Sequence, residues 1–322
     1  MRASISVIIC TWNRSASLAR TLDSLRNHHV VPECAIEVIV IDNNCGDDTP
    51  SVVRSMQNGW PLGTLHYVRE PRQGKQFALN TAIRHAKGSI LAFTDDDVLI
   101  PDGWVSEIVE IFKDPEIELV GGRTTLLWTE NGPPSWFKPS MVTVLAGVDL
   151  GDRILSPPPE GYSPAGTNLV ARRSLFDRIG TFSDAHYRHM DYEFGIRARR
   201  AGAGVAYRPE LIVLAPVDLG IINKRYFRRW YFKLGIASSM WGREEAVQLL
   251  GIPRGMWRAV TEDALSVAWA SLIGRADETF EREMRLFELL GFIQSVWRRR
   301  INPARHRAWV ERRSQKRGTT FG

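Results

Sequence analysis

Ile90-Leu91-Ala92-Phe93-Thr94-Asp95-Asp96-Asp97-Val98 decides how the rest of the chain is read: an apolar run of strand length ends abruptly in three consecutive carboxylates, and Pro101 then opens a helix. Carboxylates set side by side repel one another, so a chain that keeps them usually supplies a cation to neutralise them. Oxygen-only ligands at the end of a buried strand suit Mg²⁺ or Mn²⁺ better than zinc or copper. Taken alone, the triplet also reads as a solvated acidic turn in which Asp97 or Asp102 caps the next helix. What lies on either side decides between the two.

Upstream, Ser4 to Cys10 reads as a buried strand, followed by the polar break Thr11-Trp12-Asn13-Arg14 and a helix with Leu18, Leu22 and Leu25 at helical spacing. Ile36 to Ile41 is a second strand running into Asp42-Asn43-Asn44-Cys45-Gly46-Asp47-Asp48, after which Thr49 as N-cap and Pro50 at the first helical position start another helix. Thr64 to Val68 makes a third strand, then Glu70-Pro71-Arg72-Gln73-Gly74 and a helix carrying Phe77, Leu79, Ala82 and Ile83. Strands alternating with helices at this interval predict an α/β fold with a mostly parallel sheet and right-handed crossovers, in which ligands gather at the carboxyl ends of the strands. Trp12, Asp42 and the aspartate triplet all fall at that edge.

Downstream the pattern changes. Leu119 to Leu127 reads as a strand, and Gly132-Pro133-Pro134 and Ser156-Pro157-Pro158-Pro159 bracket a region of loops that serve either as acceptor-facing lids or as plain surface excursions. Thr167 to Ala171 resumes strand character, Met190 to Ala201 is helical with Gly202 as its stop, and Ala203 to Tyr207 and Leu211 to Leu214 predict two short strands. Beyond Asn223 the chain reads as helical to Arg300, with Trp and Arg interleaved. Leu286, Leu289, Leu290 and Ile293 make an apolar face that ends in Arg298-Arg299-Arg300; it either packs on the globular body or lies on an anionic membrane surface. The expected division is a catalytic domain over 1–222, a helical extension over 223–300 and a basic tail over 301–322.

Composition narrows the class. With 322 residues and 44% hydrophobic content the chain can bury a large core. Its net charge of +6 is local: Arg298 to Arg317 holds nine Lys or Arg against one Glu, so the remainder is slightly acidic and no nucleic-acid partner is expected. Cys10, Cys34 and Cys45 lack metal-finger spacing and read as reduced thiols. Met1-Arg2-Ala3-Ser4 leads straight into Ile5 to Cys10, too short for a signal core, and no apolar run reaches the ~18 residues of a bilayer span. A cytoplasmic protein follows, soluble or peripheral at the inner face of the plasma membrane.

The strand ends now combine. Ser6-Val7-Ile8-Ile9-Cys10-Thr11-Trp12-Asn13-Arg14, Val40-Ile41-Asp42-Asn43-Asn44 with Asp47 and Thr49, Gly74 with Asn80, Asp95-Asp96-Asp97, Gly166-Thr167-Asn168, and Asp191-Tyr192-Glu193 with Arg197 and Gly202 stand in an order that resembles the family 2 glycosyltransferases. These are inverting sugar-nucleotide transferases with a GT-A fold, and the resemblance, of the bacterial, non-processive type, covers roughly Ser4 to Leu214. It overturns the solvated-turn reading of the triplet.

The resemblance implies a role for each position. Trp12, where the family usually has Tyr, would lie beside the nucleobase rather than in the core, and Asp42 would accept from the imide N–H of uracil rather than merely open a turn. Asp95 would reach the ribose or a metal-bound water, and Asp97 would bind the Mn²⁺ or Mg²⁺ that bridges the diphosphate. Thr11 and Asp96 join the donor-binding set, Asp96 by shaping the turn and supplying charge, while Arg14, Arg72 and Lys75 are candidates to neutralise the diphosphate or else solvated surface charges. Asp191 aligns with the catalytic base that takes the proton from the acceptor hydroxyl, although Met190 stands where the family has Glu; capping the following helix is its alternative role. Glu193 and Arg197 share a helix face and can pair, and His186 and His189 flank the base as metal, acceptor or surface residues. Arg229-Trp230 ends a signature of processive members, but Tyr226 replaces its Gln.

The implied function is metal-dependent inverting transfer of one sugar from a nucleotide-sugar, UDP-linked by preference, to a saccharide or lipid-linked acceptor in cell-surface polysaccharide biosynthesis. The alternatives are a sugar-1-phosphate nucleotidyltransferase, which would need a Gly-rich, basic amino-terminal loop that this chain lacks, and an inactive membrane-associated scaffold that keeps a sugar-nucleotide site.

Overall fold

The apolar runs that end in polar clusters become strands because each is buried on both faces, a requirement met when helices cover both sides of a sheet. In a computed structural model, which describes residues 4–28, 34–184, 189–239 and 248–303, the elements are β1 (Ser4–Thr11), α1 (Ser15–Arg26), β2 (Ala35–Asp42), α2 (Thr49–Gln57), β3 (Thr64–Arg69), α3 (Lys75–His85), β4 (Ile90–Asp95), α4 (Trp104–Ile111), β5 (Leu119–Leu127), β6 (Asn168–Arg172), α5 (Arg173–Ile179), α6 (Met190–Arg200), β7 (Val205–Pro216), α7 (Lys224–Ser238), α8 (Arg254–Leu272) and α9 (Phe280–Ile301). Packing divides them into two units, one of residues 4–127 and 146–216, the other of residues 128–145 and 217–303.

The first unit holds a seven-stranded sheet in the order β3-β2-β1-β4-β6-β5-β7. All neighbours are parallel except β6, which runs against both β4 and β5. Alternate residues of each strand feed two apolar layers. Val7, Ile9, Val38 and Val40 meet Leu18 and Leu22 of α1 and Trp104 and Ile108 of α4, whereas Ile8, Ile39 and Ile41 meet Leu79 and Ile83 of α3, Phe176 of α5 and Phe194 of α6. Register sets the functional edge: Thr11 lies opposite Asp42 and Cys10 opposite Asp95, so β1, β2 and β4 end in one row.

Two local expectations change. The two short strands after Gly202 are one strand of twelve residues, β7. Its pairing with β5 skips from Gly122↔Arg208 to Arg123↔Ile212, and that irregularity takes up Pro209, which has no N–H to give a ladder. The helix expected from Pro101 starts at Trp104 instead, after Gly103 turns through φ +93°.

In the second unit, Trp136, Phe137 and Met141 pack with Phe227 of α7 and with Phe280 and Met284 of α9. This contact draws Trp128–Leu145 to the C-terminal helices, whereas the division expected at residue 222 keeps the segment with the sheet. Of the α9 apolar face, Ile293 is buried with Ile252, Met256, Phe292 and Val296, and Leu289 packs against them. Among the described residues no helix is long and apolar enough to cross a membrane. The basic tail from residue 304 onward lies outside the described residues.

Candidate active site

Loops at the carboxyl edge of the sheet are tied to one another by short polar bonds. Asn13, at φ +49°, accepts from the Gly46 N–H at 2.7 Å. Asp47 accepts from the Ser15 N–H at 2.9 Å and from the Thr49 hydroxyl at 2.6 Å, so one carboxylate fixes the starts of both α1 and α2. Asn43 accepts from the Gly74 N–H at 2.8 Å and donates to the Arg72 carbonyl at 2.7 Å, which sets the turn before α3.

Within this frame Trp12 is half-buried directly after β1, in the loop rather than in the core. Asp42 is buried, and each of its oxygens already accepts a bond: Oδ1 from the Cys45 N–H at 2.6 Å and Oδ2 from the Tyr67 hydroxyl at 2.5 Å. Burial and then the Asp42 carboxylate push the Tyr67 hydroxyl up to about 12, which keeps it a donor.

At the triplet, Asp95 forms an ion pair with Lys75 through Oδ1 and accepts from the Thr167 hydroxyl through Oδ2 at 2.9 Å. Burial opposes ionisation of Asp95, but Lys75 and Thr167 outweigh it and hold the carboxyl below its usual range. Burial likewise disfavours the Lys75 charge; Asp95 overcomes this and raises the ammonium, with Asp191 adding to the same field. Arg14 reaches Asp97 Oδ2 at 2.5 Å and Asp96 Oδ1 at 3.3 Å. Burial, then the neighbouring Asp97 charge, pushes buried Asp96 up to about 6; Asp97, whose side chain still reaches solvent, rises through the desolvation imposed by its crowded surroundings and the charge of Asp95. Thr11 is buried at the end of β1.

A divalent cation needs ionised oxygens with room left for phosphate or water. Asp97 meets this, since its side chain is 47% exposed and Arg14 engages only Oδ2, whereas both Asp95 oxygens are engaged within the protein. Among the described residues no three His, Cys, Asp or Glu side chains converge as a ligand cluster. The donors present therefore fit Mg²⁺ or Mn²⁺ held by one or two carboxylates, the rest of its shell coming from phosphate and water.

Arg72 is committed elsewhere. Buried Glu70 accepts from its Nε and from a terminal guanidinium nitrogen, each at 2.9 Å, and the guanidinium lies 4.7 Å from the centre of the Phe77 ring. The Arg72 bonds, aided by Thr81 and opposed by burial, hold the Glu70 carboxyl down at about 2.

Asp191 occupies the first turn of α6 and is half-buried. Its Oδ2 accepts from the Gly166 N–H at 2.8 Å, its Oδ1 from the Tyr192 N–H at 3.0 Å, and its carbonyl from the Ser163 hydroxyl at 2.9 Å. The N-cap position itself belongs to His189, in the left-handed region at φ +53°. Asn80 clamps the approach to this helix through the Phe182 carbonyl at 2.8 Å and Asp184 at 3.0 Å. Glu193 and Arg197 pair with one another at 2.9 Å. His186 lies outside the described residues.

Three side chains with structural parts in this site carry no distinct signal in the sequence: Tyr67, Glu70 and Thr167. Glu70 opens the stretch Glu70-Pro71-Arg72-Gln73-Gly74 and Thr167 sits between Gly166 and Asn168, but in each case the neighbours draw as much notice.

The family described as Glycosyl transferase family 2 matches residues 6–180. Among curated relatives, Glycosyltransferase AglE of Haloferax volcanii is 24% identical over 70% of this chain and 71% of its own length. Succinoglycan biosynthesis protein ExoM of Rhizobium meliloti is 28% identical over 70% and 72%. A solved mannosyltransferase from Pyrobaculum calidifontis, in complex with GDP-Man and Mn²⁺, aligns at a TM-score of 0.62 and 19% identity over 92% of this chain and 88% of its own, a likeness of fold.

Proposed function

We infer the reaction from a fixed premise: this chain belongs to glycosyl transferase family 2, has the GT-A fold, and is an enzyme that takes a sugar from a nucleotide-sugar. Beyond that premise, we propose metal-dependent transfer of a single sugar, with inversion, from a UDP-sugar to the hydroxyl of a saccharide or lipid-linked acceptor in cell-surface polysaccharide assembly. One observation carries the reading: the aspartate triplet and Asp191 meet at one sheet edge, bridged by the bonds of Thr167 and Gly166. The name of the Rhizobium relative agrees with the polysaccharide setting, and the ligands of the Pyrobaculum enzyme agree with Mn²⁺ and a nucleotide-sugar donor, although that donor carries guanine and not uracil.

Asp191 takes the proton of the acceptor hydroxyl as that oxygen attacks the anomeric carbon from the side opposite the diphosphate. No covalent bond to the enzyme is needed, and base assistance of this kind contributes about 10²–10⁴ in rate. Asp42 receives the uracil N–H, Trp12 offers a ring face to the base, and Arg14, already at the triplet, turns to the diphosphate. Lys75 stays on Asp95 and keeps that carboxylate ionised. When bound at Asp97, Mn²⁺ or Mg²⁺ would stabilise the charge of the departing nucleoside diphosphate. Tyr226, where processive enzymes carry Gln, supports single addition. The basic C-terminal stretch is the part proposed to meet an anionic membrane surface, which would place the enzyme at the cytoplasmic face.

The test is nucleotide release from UDP- and GDP-sugars across a Mn²⁺ titration, with Asp97→Ala beside wild type. Wild type should release UDP in a Mn²⁺-dependent manner, and Asp97→Ala should lose the metal dependence of UDP binding. An unchanged titration in the variant would remove Asp97 as the ligand, and failure of wild type to bind or turn over any nucleotide-sugar would overturn the reaction.

A further inference from the structure

Asp95, which the family resemblance sets toward the donor's ribose or a metal-bound water, and Asp191, the base proposed for the acceptor, are held by consecutive residues of one turn. Thr94 pairs with Asn168 across antiparallel β4 and β6, so the next residue on β4, Asp95, comes opposite the residue that precedes Asn168, which is Thr167. The buried Thr167 hydroxyl donates to Asp95 Oδ2 at 2.9 Å, while Lys75 holds Oδ1. One residue earlier, the Gly166 N–H donates to Asp191 Oδ2 at 2.8 Å, and Ser163 fixes the Asp191 carbonyl at 2.9 Å. A Cβ at position 166 would stand 3.5 Å from Asp191 Oδ2, so this strand of the turn lies in contact with the base.

The bond from Thr167 is charge-assisted and comes from a buried hydroxyl to a largely buried carboxylate, a setting in which a single hydroxyl orients a carboxylate firmly. Its neighbour Gly166 makes the corresponding bond through the main chain, which no side-chain change removes. Any shift of the turn therefore moves both carboxylates together, whereas loss of the hydroxyl alone frees Asp95 and leaves Asp191 in place.

We propose that Thr167 is a positioning residue for sugar transfer: its hydroxyl pins the donor-side carboxylate, Asp95, to the turn that pins the acceptor-side base, Asp191, and so fixes their separation. The inference rests on the proposed roles of those two aspartates. Misplacement of reacting groups by 1 Å costs about 100-fold in rate, which sets the scale of the effect.

The experiment compares wild type, Thr167→Val and Thr167→Ser as full-length chains. UDP release from UDP-glucose and UDP-N-acetylglucosamine with Mn²⁺ gives turnover, calorimetry with UDP and Mn²⁺ gives affinity, and thermal unfolding reports folding. Valine keeps the shape and removes the donor; turnover should fall about 10- to 100-fold while UDP affinity changes by less than about threefold, and serine should restore turnover to within about threefold. Wild-type turnover in Thr167→Val overturns the proposal, as does a loss of UDP affinity equal to the loss of turnover, or a serine variant as slow as valine. Should valine fail to fold, Thr167→Ala against Thr167→Ser carries the same comparison. An inactive wild type overturns the reaction and this inference with it, whereas an active wild type matched by Thr167→Val overturns the inference alone.

Discussion

Asp191→Asn separates the chemistry of the base from its packing. The carboxylate accepts two main-chain donors, Gly166 N–H on Oδ2 at 2.8 Å and Tyr192 N–H on Oδ1 at 3.0 Å. An asparagine of the same size has one acceptor oxygen and one NH₂ group, so one of those donors loses its partner. A bond to a charged group contributes about 1.5–3 kcal/mol, and because Asp191 is half-buried, water replaces part of what is lost. The effect on turnover is of a different size. Base assistance of about 10²–10⁴ corresponds, at ~1.4 kcal/mol per decade, to about 3–5 kcal/mol of activation energy. Urea unfolding should thus show a folded protein of modestly reduced stability, calorimetry should show UDP·Mn²⁺ affinity within about threefold of wild type, and Mn²⁺-stimulated release should fall at least about 100-fold. Near-wild-type turnover would remove Asp191 from the base role. So would a fall in turnover fully matched by a fall in donor affinity, since a base that acts only on the acceptor has no reason to weaken donor binding.

The α7–α9 crossing gives a stability test: a Cβ on Gly291 would stand 2.0 Å from the Phe232 carbonyl oxygen, whereas one on Gly255 of α8 meets nothing within 4 Å. Gly291→Ala should therefore cost about 1–3 kcal/mol in denaturant unfolding, and Gly255→Ala should be neutral or stabilising by up to about 1 kcal/mol; equal stabilities would refute the close approach. Glu70 supplies the pH test. Its carboxyl is held at about 2 against an ordinary 4.5, so the stability it contributes is present above pH 4.5 and is lost as pH falls toward 2. Glu70→Gln should be less stable than wild type at pH 6, with the gap closing toward pH 2, and a gap independent of pH would show that the Arg72 pair does not supply it. Finally, deletion after Trp297 should weaken sedimentation with anionic liposomes while leaving the unfolding of the sheet unit unchanged; unaltered sedimentation removes the membrane role.

Much of the sheet is legible in the sequence because its strands are buried on both faces, and a run such as Ile36 to Ile41 has no other economical reading. β7 is the exception, because Pro209 breaks the run at the point where the ladder slips. The grouping of Trp128–Leu145 is not legible at all: its prolines and aromatics follow no period, and their place depends on Phe227 and Phe280, far along the chain. At the site the sequence shows where charges stand but not which opposite charges answer them. Arg14, Arg72 and Lys75 read as three cations facing a diphosphate, yet each meets an acid of its own: Asp97 and Asp96, Glu70, and Asp95. Only for Arg14 is that acid also the carboxylate proposed to take the metal and open to solvent. On the proposed reading, Asp97 would hold the metal when one is bound and the Arg14 guanidinium, released from that carboxylate, would meet the phosphates, while Lys75 and Arg72 keep their acids and hold the edge in shape.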